Sequence, residues 1–319
     1  MTGTFTGGIT FTGGISFVVG VNTGWFGGGT PGSISTIQRI TYATDTATAV
    51  VRGPLNTTKY ELSATGTVTD GYWCGGYIGP LISTVARTTF ATDTATAVVK
   101  GPLTSERSAS AATSDGTSYG WVGGGTIASR TTGNPVSTVD RITYANDTAT
   151  ASLRGPLSIA RIGLAAAGTI GYGWYAGGFV SPVANRSTID RIDYANDTAT
   201  ATARTNLSPS RRSLAATGTG TDAWFSGGYT SGAPGTVSLV QRMAFATDTD
   251  AVSTRGPLSL ARRYLAGTGN PSYGWYDGGD LGGSLVDRID YSNDTATATA
   301  RGPMANTAGR GRGATSGVQ

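Results

Sequence analysis

One phrase occurs six times in this chain. A chain that repeats itself at a fixed period must build each copy into one unit of a regular array. The clearest copy runs from Ser187 to Arg204 and reads STIDRIDYANDTATATAR. Its central arginine recurs as Arg39, Arg87, Arg141, Arg191, Arg242 and Arg288, at spacings of 48, 54, 50, 51 and 46 residues. The six tryptophans, Trp25, Trp73, Trp121, Trp174, Trp224 and Trp275, each open a glycine phrase such as Trp174-Tyr175-Ala176-Gly177-Gly178. Tryptophan is therefore read as one fixed position of the repeat.

A period of about 50 residues suits a propeller blade of four short strands. Within a unit, strand b is the Trp-Gly-Gly phrase. Strand c is Ser187 to Tyr194, where Ile189, Arg191 and Asp193 alternate with Asp190, Ile192 and Tyr194 in period two. Asn-Asp or Thr-Asp pairs, as at Asn196-Asp197 and Thr247-Asp248, mark a tight c–d hairpin, because their side chains bond nearby backbone. Strand d is the Thr-Ala-Thr-Ala run, which ends at Arg-Gly-Pro-Leu, where proline cannot donate to a ladder. Strand a is Leu164 to Ala167 and its counterparts. The expected fold is all-β: a six-bladed β-propeller with four-stranded antiparallel blades over residues 21–319. Residues 1–20 form a separate β arm with its own echo, Thr-Phe-Thr-Gly-Gly-Ile, read twice. Seven blades, with the arm supplying part of the seventh, is the alternative. Gly313 to Gly317 matches the strand-a segments, so the C-terminus is expected to close the ring as the inner strand of the first blade; Ile15 to Val21 competes for that place. Closure removes an exposed sheet edge.

The repeats resemble kelch repeats over residues 21–319. The matching features are the double glycine closing a strand (Gly177-Gly178, Gly227-Gly228), an aromatic in the next strand (Tyr194, Phe245), and a basic residue opening strand a (Arg161, Arg211, Arg262). The pattern departs in strand d, where the Thr-Ala run stands in place of tryptophan. The alanine- and threonine-rich style is similar to kelch-like virion proteins of marine tailed phages. That resemblance implies a virion structural protein of the tail, fibre or head.

The absence of histidine removes His-based general bases, Ser-His-Asp triads and most transition-metal sites. The hairpin aspartates Asp45, Asp93, Asp147, Asp197, Asp248 and Asp294 recur in register, so they are read as turn formers. No catalytic residue, metal or cofactor is assigned, and the expectation is a protein that is not an enzyme. Cys74 is the only cysteine and is read as a small buried apolar residue where other copies carry Phe, Val or Tyr. Charged residues make up 13% and the formal net charge is +4, too little to argue for nucleic acid. The chain carries no long apolar run that reads as a signal or a membrane span.

Positive charge is nevertheless patterned. Arg52, Lys100, Arg154, Arg204, Arg255 and Arg301 end the d strands. Lys59, Arg107, Arg161, Arg211 and Arg262 follow seven residues later. Strand d runs away from its hairpin, so these cations are expected on the face opposite the aspartates. They either pair locally or form an interaction face for an acidic partner or anionic glycan. The b–c loops vary most in length, and the longest, Thr126 to Val136, adds Arg130 and Asn134 to that candidate face. The leading functional expectation is a non-enzymatic structural and interaction protein of a phage virion, able to form homo-oligomers. It would attach to neighbouring virion proteins through its arm and present variable loops to a host-surface glycan or protein. The alternatives are a glycan-binding or glycan-cleaving propeller, and a cellular kelch-type scaffold located in the cytoplasm or outside the cell.

Overall fold

The computed structural model describes residues 22–128, 133–180, 184–232, 235–307 and 309–316. The arm at residues 1–20 and the segment Ile15 to Val21 lie outside the described residues. The rest forms six four-stranded antiparallel blades. From axis to rim, blade 1 is Gly313–Ser316, Thr23–Gly27, Ile37–Thr41 and Val50–Arg52. Blade 2 is Ser63–Gly66, Asp70–Cys74, Val85–Thr89 and Val98–Lys100, and blade 3 is Ala111–Ser114, Tyr119–Gly123, Val139–Thr143 and Ser152–Arg154. Blade 4 is Ala165–Gly168, Tyr172–Ala176, Thr188–Asp193 and Thr202–Asn206. Blade 5 is Ala215–Gly218, Asp222–Ser226, Val240–Ala244 and Ser253–Arg255, and blade 6 is Leu265–Gly269, Tyr273–Gly278, Val286–Asp290 and Thr299–Ala300. The six inner strands touch one another in an unbroken circle. In blade 1 the inner strand comes from the other end of the chain: Gly313–Ser316 pairs with Thr23–Gly27, Trp25 opposite Thr315.

The second strand of each blade is buried on both faces, because blades cover it from both sides. One face carries the tryptophan, which stacks on the aromatic of the next blade's turn. Trp121 lies 3.7 Å from Tyr194 at an interplanar angle of 2°, and Trp275 lies 4.0 Å from Tyr42 across the closing joint. Such stacked pairs add about 0.5–1.5 kcal/mol beyond the area they bury. The turn between the third and fourth strands is longer than a tight hairpin. A 3-10 turn, such as Tyr194–Asn196, is followed by an exposed Thr-Ala-Thr stretch and a buried alanine such as Ala201. The first half of each Thr-Ala run is therefore turn, and the outer strand is generally only two or three residues long.

The aspartate of that turn joins adjacent blades. The Asp197 carboxylate of blade 4 accepts from Trp121 Nε1 at 2.8 Å and from Arg141 at 3.0 Å, and Arg154 lies 3.6 Å away, all three being in blade 3. The same arrangement unites Trp25, Arg39 and Arg52 on Asp93; Trp174, Arg191 and Arg204 on Asp248; and Trp224, Arg242 and Arg255 on Asp294. It closes the circle with Trp275, Arg288 and Arg301 on Asp45. The aspartate carbonyls also accept from the backbone: Gly101 N donates to Asp147 O at 2.7 Å, and Ala151 N donates back to Pro102 O at 2.9 Å. This explains the Arg-Gly-Pro phrase. A Cβ on Gly101 would lie 1.9 Å from the Ala149 carbonyl of the next blade.

Two expectations change here. The strand-d cations Arg52, Lys100, Arg154, Arg204, Arg255 and Arg301 do not ring the face opposite the aspartates; they pair with those aspartates across the blade boundary. The twist that accumulates from inner to outer strand carries each outer strand towards the turn of the following blade. The tryptophans are also not all equivalent. In blade 2 Tyr72 occupies the tryptophan position, opposite Arg87, and donates to Asp147 at 3.1 Å. Trp73 sits one residue later, opposite Ala86, and donates to Thr88 within its own blade. Cys74 therefore matches Gly123, Ala176 and Ser226 rather than the Phe, Val or Tyr position. It is fully buried, and burial pushes its thiol up to about 12.

Removing one joint should be expensive, since it strands buried indole and guanidinium donors. Asp197→Ala is expected to lower unfolding free energy by about 2–4 kcal/mol, read from urea unfolding, the pairs being partly exposed on the arginine side. The joint also fixes a pH dependence. Burial raises the Asp248 carboxyl, but hydrogen bonds from Arg204 and Trp174 and the charges of Arg191 and Arg204 outweigh it and hold the group below its ordinary value. The stabilisation is thus present above the unfolded carboxylate range and is lost as pH falls through the lower folded value. Asp248→Asn should flatten the acid limb of a melting-temperature profile below about pH 4.

Candidate loop-face recognition site

At the end of the second strand the double glycine turns the chain onto the face that holds the b–c and d–a connections. Gly177 and Gly178 have φ of 67° and 104°, which side chains rarely adopt. The residue after the glycines then meets the residue that follows the buried basic position. Six such pairs circle the axis: Tyr60 with Tyr77, Ser108 with Thr126, Ile162 with Phe179, Arg212 with Tyr229, Arg263 with Asp280, and Arg310 with Thr30. The backbone repeats, while the side chains differ in every blade.

Inside these pairs lies a closed hydrogen-bonded circle. Ala109 N donates to Glu61 O, Gly163 N to Ala109 O, Ser213 N to Gly163 O, Tyr264 N to Ser213 O, Gly311 N to Tyr264 O, and Glu61 N to Gly311 O, at 2.6–3.2 Å. All six residues have positive φ, between 54° and 65°. Four are not glycine, so the circle holds a conformation that costs an ordinary residue about 1–2 kcal/mol. It leaves a mouth of about 80 Å³ on the axis. The opposite end of the axis is a cavity of about 150 Å³ lined by small residues such as Ala64, Ala112 and Ala166. Two of the threonines there are engaged by tyrosines, Thr113 with Tyr175 and Thr217 with Tyr276.

Beneath the circle sit the cations that open strand a. Arg107, Arg161, Arg211 and Arg262 are fully buried, which corrects their expected place on an interaction face. Three are neutralised by the aspartate that precedes the third-strand arginine: Arg107 by Asp140, Arg161 by Asp190 and Arg262 by Asp287, at 2.9–3.0 Å. Those aspartates also accept from the turn below, as Asp190 does from Ser158 N and Oγ. In blade 5 that position is Gln241, which bonds Ser208 instead. Among the described residues Arg211 keeps one side-chain bond, to Phe225 O at 2.9 Å, and its Nε and Nη1 have no acceptor. Burial lowers its pKa to about 10. In blade 2 Ala86 takes the acidic position, and Lys59 bonds Trp73 O at 3.2 Å and is pushed down to about 8 by burial. At the closing junction Arg312 replaces the usual cation and pairs with buried Asp277 and with Asn306. Asn134 is exposed, its carbonyl accepting from Ile127 N and its N–H donating to Thr126 Oγ1, while Arg130 lies outside the described residues.

Aromatic rings and guanidinium groups alternate over blades 4 to 6 and on to the closing blade. Arg212 lies over Phe179 at 4.3 Å and Tyr229 at 5.1 Å; Arg263 lies over Tyr229 at 4.8 Å and Tyr264 at 5.2 Å; Arg310 lies over Tyr264 at 4.7 Å. Sequence reasoning missed this ladder because its members sit at unequal sequence distances in different blades. The available signal was the pair of adjacent arginines, Arg211-Arg212 and Arg262-Arg263, beside the repeated basic position. Among the described residues no three His, Cys, Asp or Glu side chains group to hold a metal ion, and no helix is long and apolar enough to cross a membrane.

Because Arg107, Arg161 and Arg262 show what a neutralised junction looks like, Gln241→Asp should give Arg211 the missing carboxylate. A rise in melting temperature is expected, with Arg211→Met plus Gln241→Asp losing the gain.

No protein-family model matches the chain, and no curated protein matches it in sequence. In three dimensions 408 chains of solved structures match, so the fold is too widely shared to name a function. One, described as "Structure of YjhT", superposes with a TM-score of 0.70 at 11% identity, covering 88% of this chain and 94% of that one. The likeness establishes a six-bladed β-propeller and nothing finer.

Proposed function

We propose that this protein is a non-enzymatic interaction module and a structural component of a tailed-phage virion, with the loop face as its recognition surface. The observation that carries the reading is the rosette of six bridged pairs. A rigid, repeated backbone presents a different side-chain pair in each blade, the arrangement expected where loops on a scaffold do the recognising. The alanine- and threonine-rich repeats, similar in style to kelch-like virion proteins, support the virion part. The rim supports an attachment role. The outer strands of blades 1 to 3 expose Val50, Val51, Val98, Val99 and Leu153, each 48–59% accessible, whereas blades 4 to 6 carry Thr, Ala and Ser there.

Mass spectrometry of purified particles from the source tests this. The protein is expected in fixed stoichiometry to an abundant shell protein, at a copy number matching a symmetric part of the particle. Its absence from particles would overturn the virion reading.

A further inference from the structure

The rosette is not evenly charged. On blades 6 and 1, Arg263 and Arg310 both pair with Asp280, at 2.8 Å each. At the other end of the ladder Arg212 makes ring contacts only, among the described residues. Its guanidinium has no carboxylate partner among the described residues, and neither do those of Arg186 and Arg211. The three are joined closely, since Arg211 N donates to Arg186 O and Arg212 follows in the chain. Every other arginine among the described residues pairs with a carboxylate, so the guanidinium groups that lack one fall together at the junction of blades 4 and 5.

A cavity of about 270 Å³ opens at this point, lined by Ile162, Phe179, Arg212, Ser213 and Tyr264. We propose that it binds a monosaccharide-sized acidic sugar through the sugar's carboxylate. This rests on the loop face being a recognition surface and names its ligand class. Among the described residues the N–H fork of Arg212 has ring contacts and no acceptor, and a planar fork matches a carboxylate in two parallel hydrogen bonds. Arg211 lies buried behind it and adds uncompensated positive potential in a medium of low dielectric. Phe179 and Tyr264 supply aromatic walls for the apolar face of one sugar ring, and the volume suits one ring rather than an extended chain.

Titration of the full chain with glucuronate, glucose and acetate, followed by NMR, tests the proposal. Saturable binding of glucuronate is expected, at least about tenfold tighter than either glucose or acetate, since the carboxylate contact and the ring contact act together. Arg212→Ala should weaken glucuronate about tenfold or more, Arg212→Lys should recover only part of it, and Arg263→Ala should change it less. Melting temperatures accompany each variant, and if Arg212→Ala does not fold, Arg212→Lys decides. Glucose binding as tightly as glucuronate, acetate binding as tightly as glucuronate, an unchanged affinity in the Arg212 variants, or no binding at all would each overturn it. None of these outcomes bears on particle composition, so a failure here is distinct from a failure of the virion reading.

Discussion

A single aspartate, placed once per blade in the turn between the third and fourth strands, holds the disk together. It accepts an indole or phenol N–H or O–H and at least one guanidinium from the preceding blade, while its carbonyl accepts a backbone N–H from the same neighbour. Much of the repeat follows from it. The arginine of the third strand and the cation of the fourth must reach it, the glycine of Arg-Gly-Pro must leave room for the turn that carries it, and the aromatic three residues earlier must lie flat on the tryptophan. Because the joint is electrostatic and hydrogen-bonded as well as apolar, the chain needs few large hydrophobic residues, and 38% suffices for a core split into six interblade clusters.

Burying many charges is costly unless each has a partner. The molecule meets that condition at Asp140, Asp190 and Asp287, and relaxes it in blades 2 and 5, where Ala86 and Gln241 stand in the acidic position. The two solutions differ. In blade 2 the cation is a lysine, whose pKa burial can pull down, whereas blade 5 keeps an arginine that stays charged. The guanidinium groups without a carboxylate among the described residues, Arg186, Arg211 and Arg212, therefore gather at the junction of blades 4 and 5, on the part of the loop face where aromatic rings and guanidinium groups alternate. A closed circle of backbone hydrogen bonds fixes that face, so its side chains are displayed from positions with little freedom to shift.

The fold was largely legible from the sequence. The arginine spacing gave six blades, the alternation in STIDRID marked the third strand, and the double glycines marked the end of the second. The candidate site was far less legible. The strand-d cations and the opening arginines were visible as a pattern, but the pattern alone read as a charged face; the former turned out to be spent in joints and the latter to be fully buried. The equivalence of the six tryptophans held for five, because Trp73 stands one residue out of step with Arg87 and the double glycine keeps the true register.

What the sequence determined by itself is local and periodic: the number of units, the order of strands within each, and the turn residues that separate them. These depend on contacts inside one blade, within about 50 residues. What only the tertiary structure decided is which group in one blade meets which group in the next. Trp275 and Arg288 find Asp45 more than 200 residues away, and Arg212 comes to lie against Phe179 and Tyr229. Those partners depend on how far each blade twists and how closely its neighbour packs, a geometry the one-dimensional repeat does not carry.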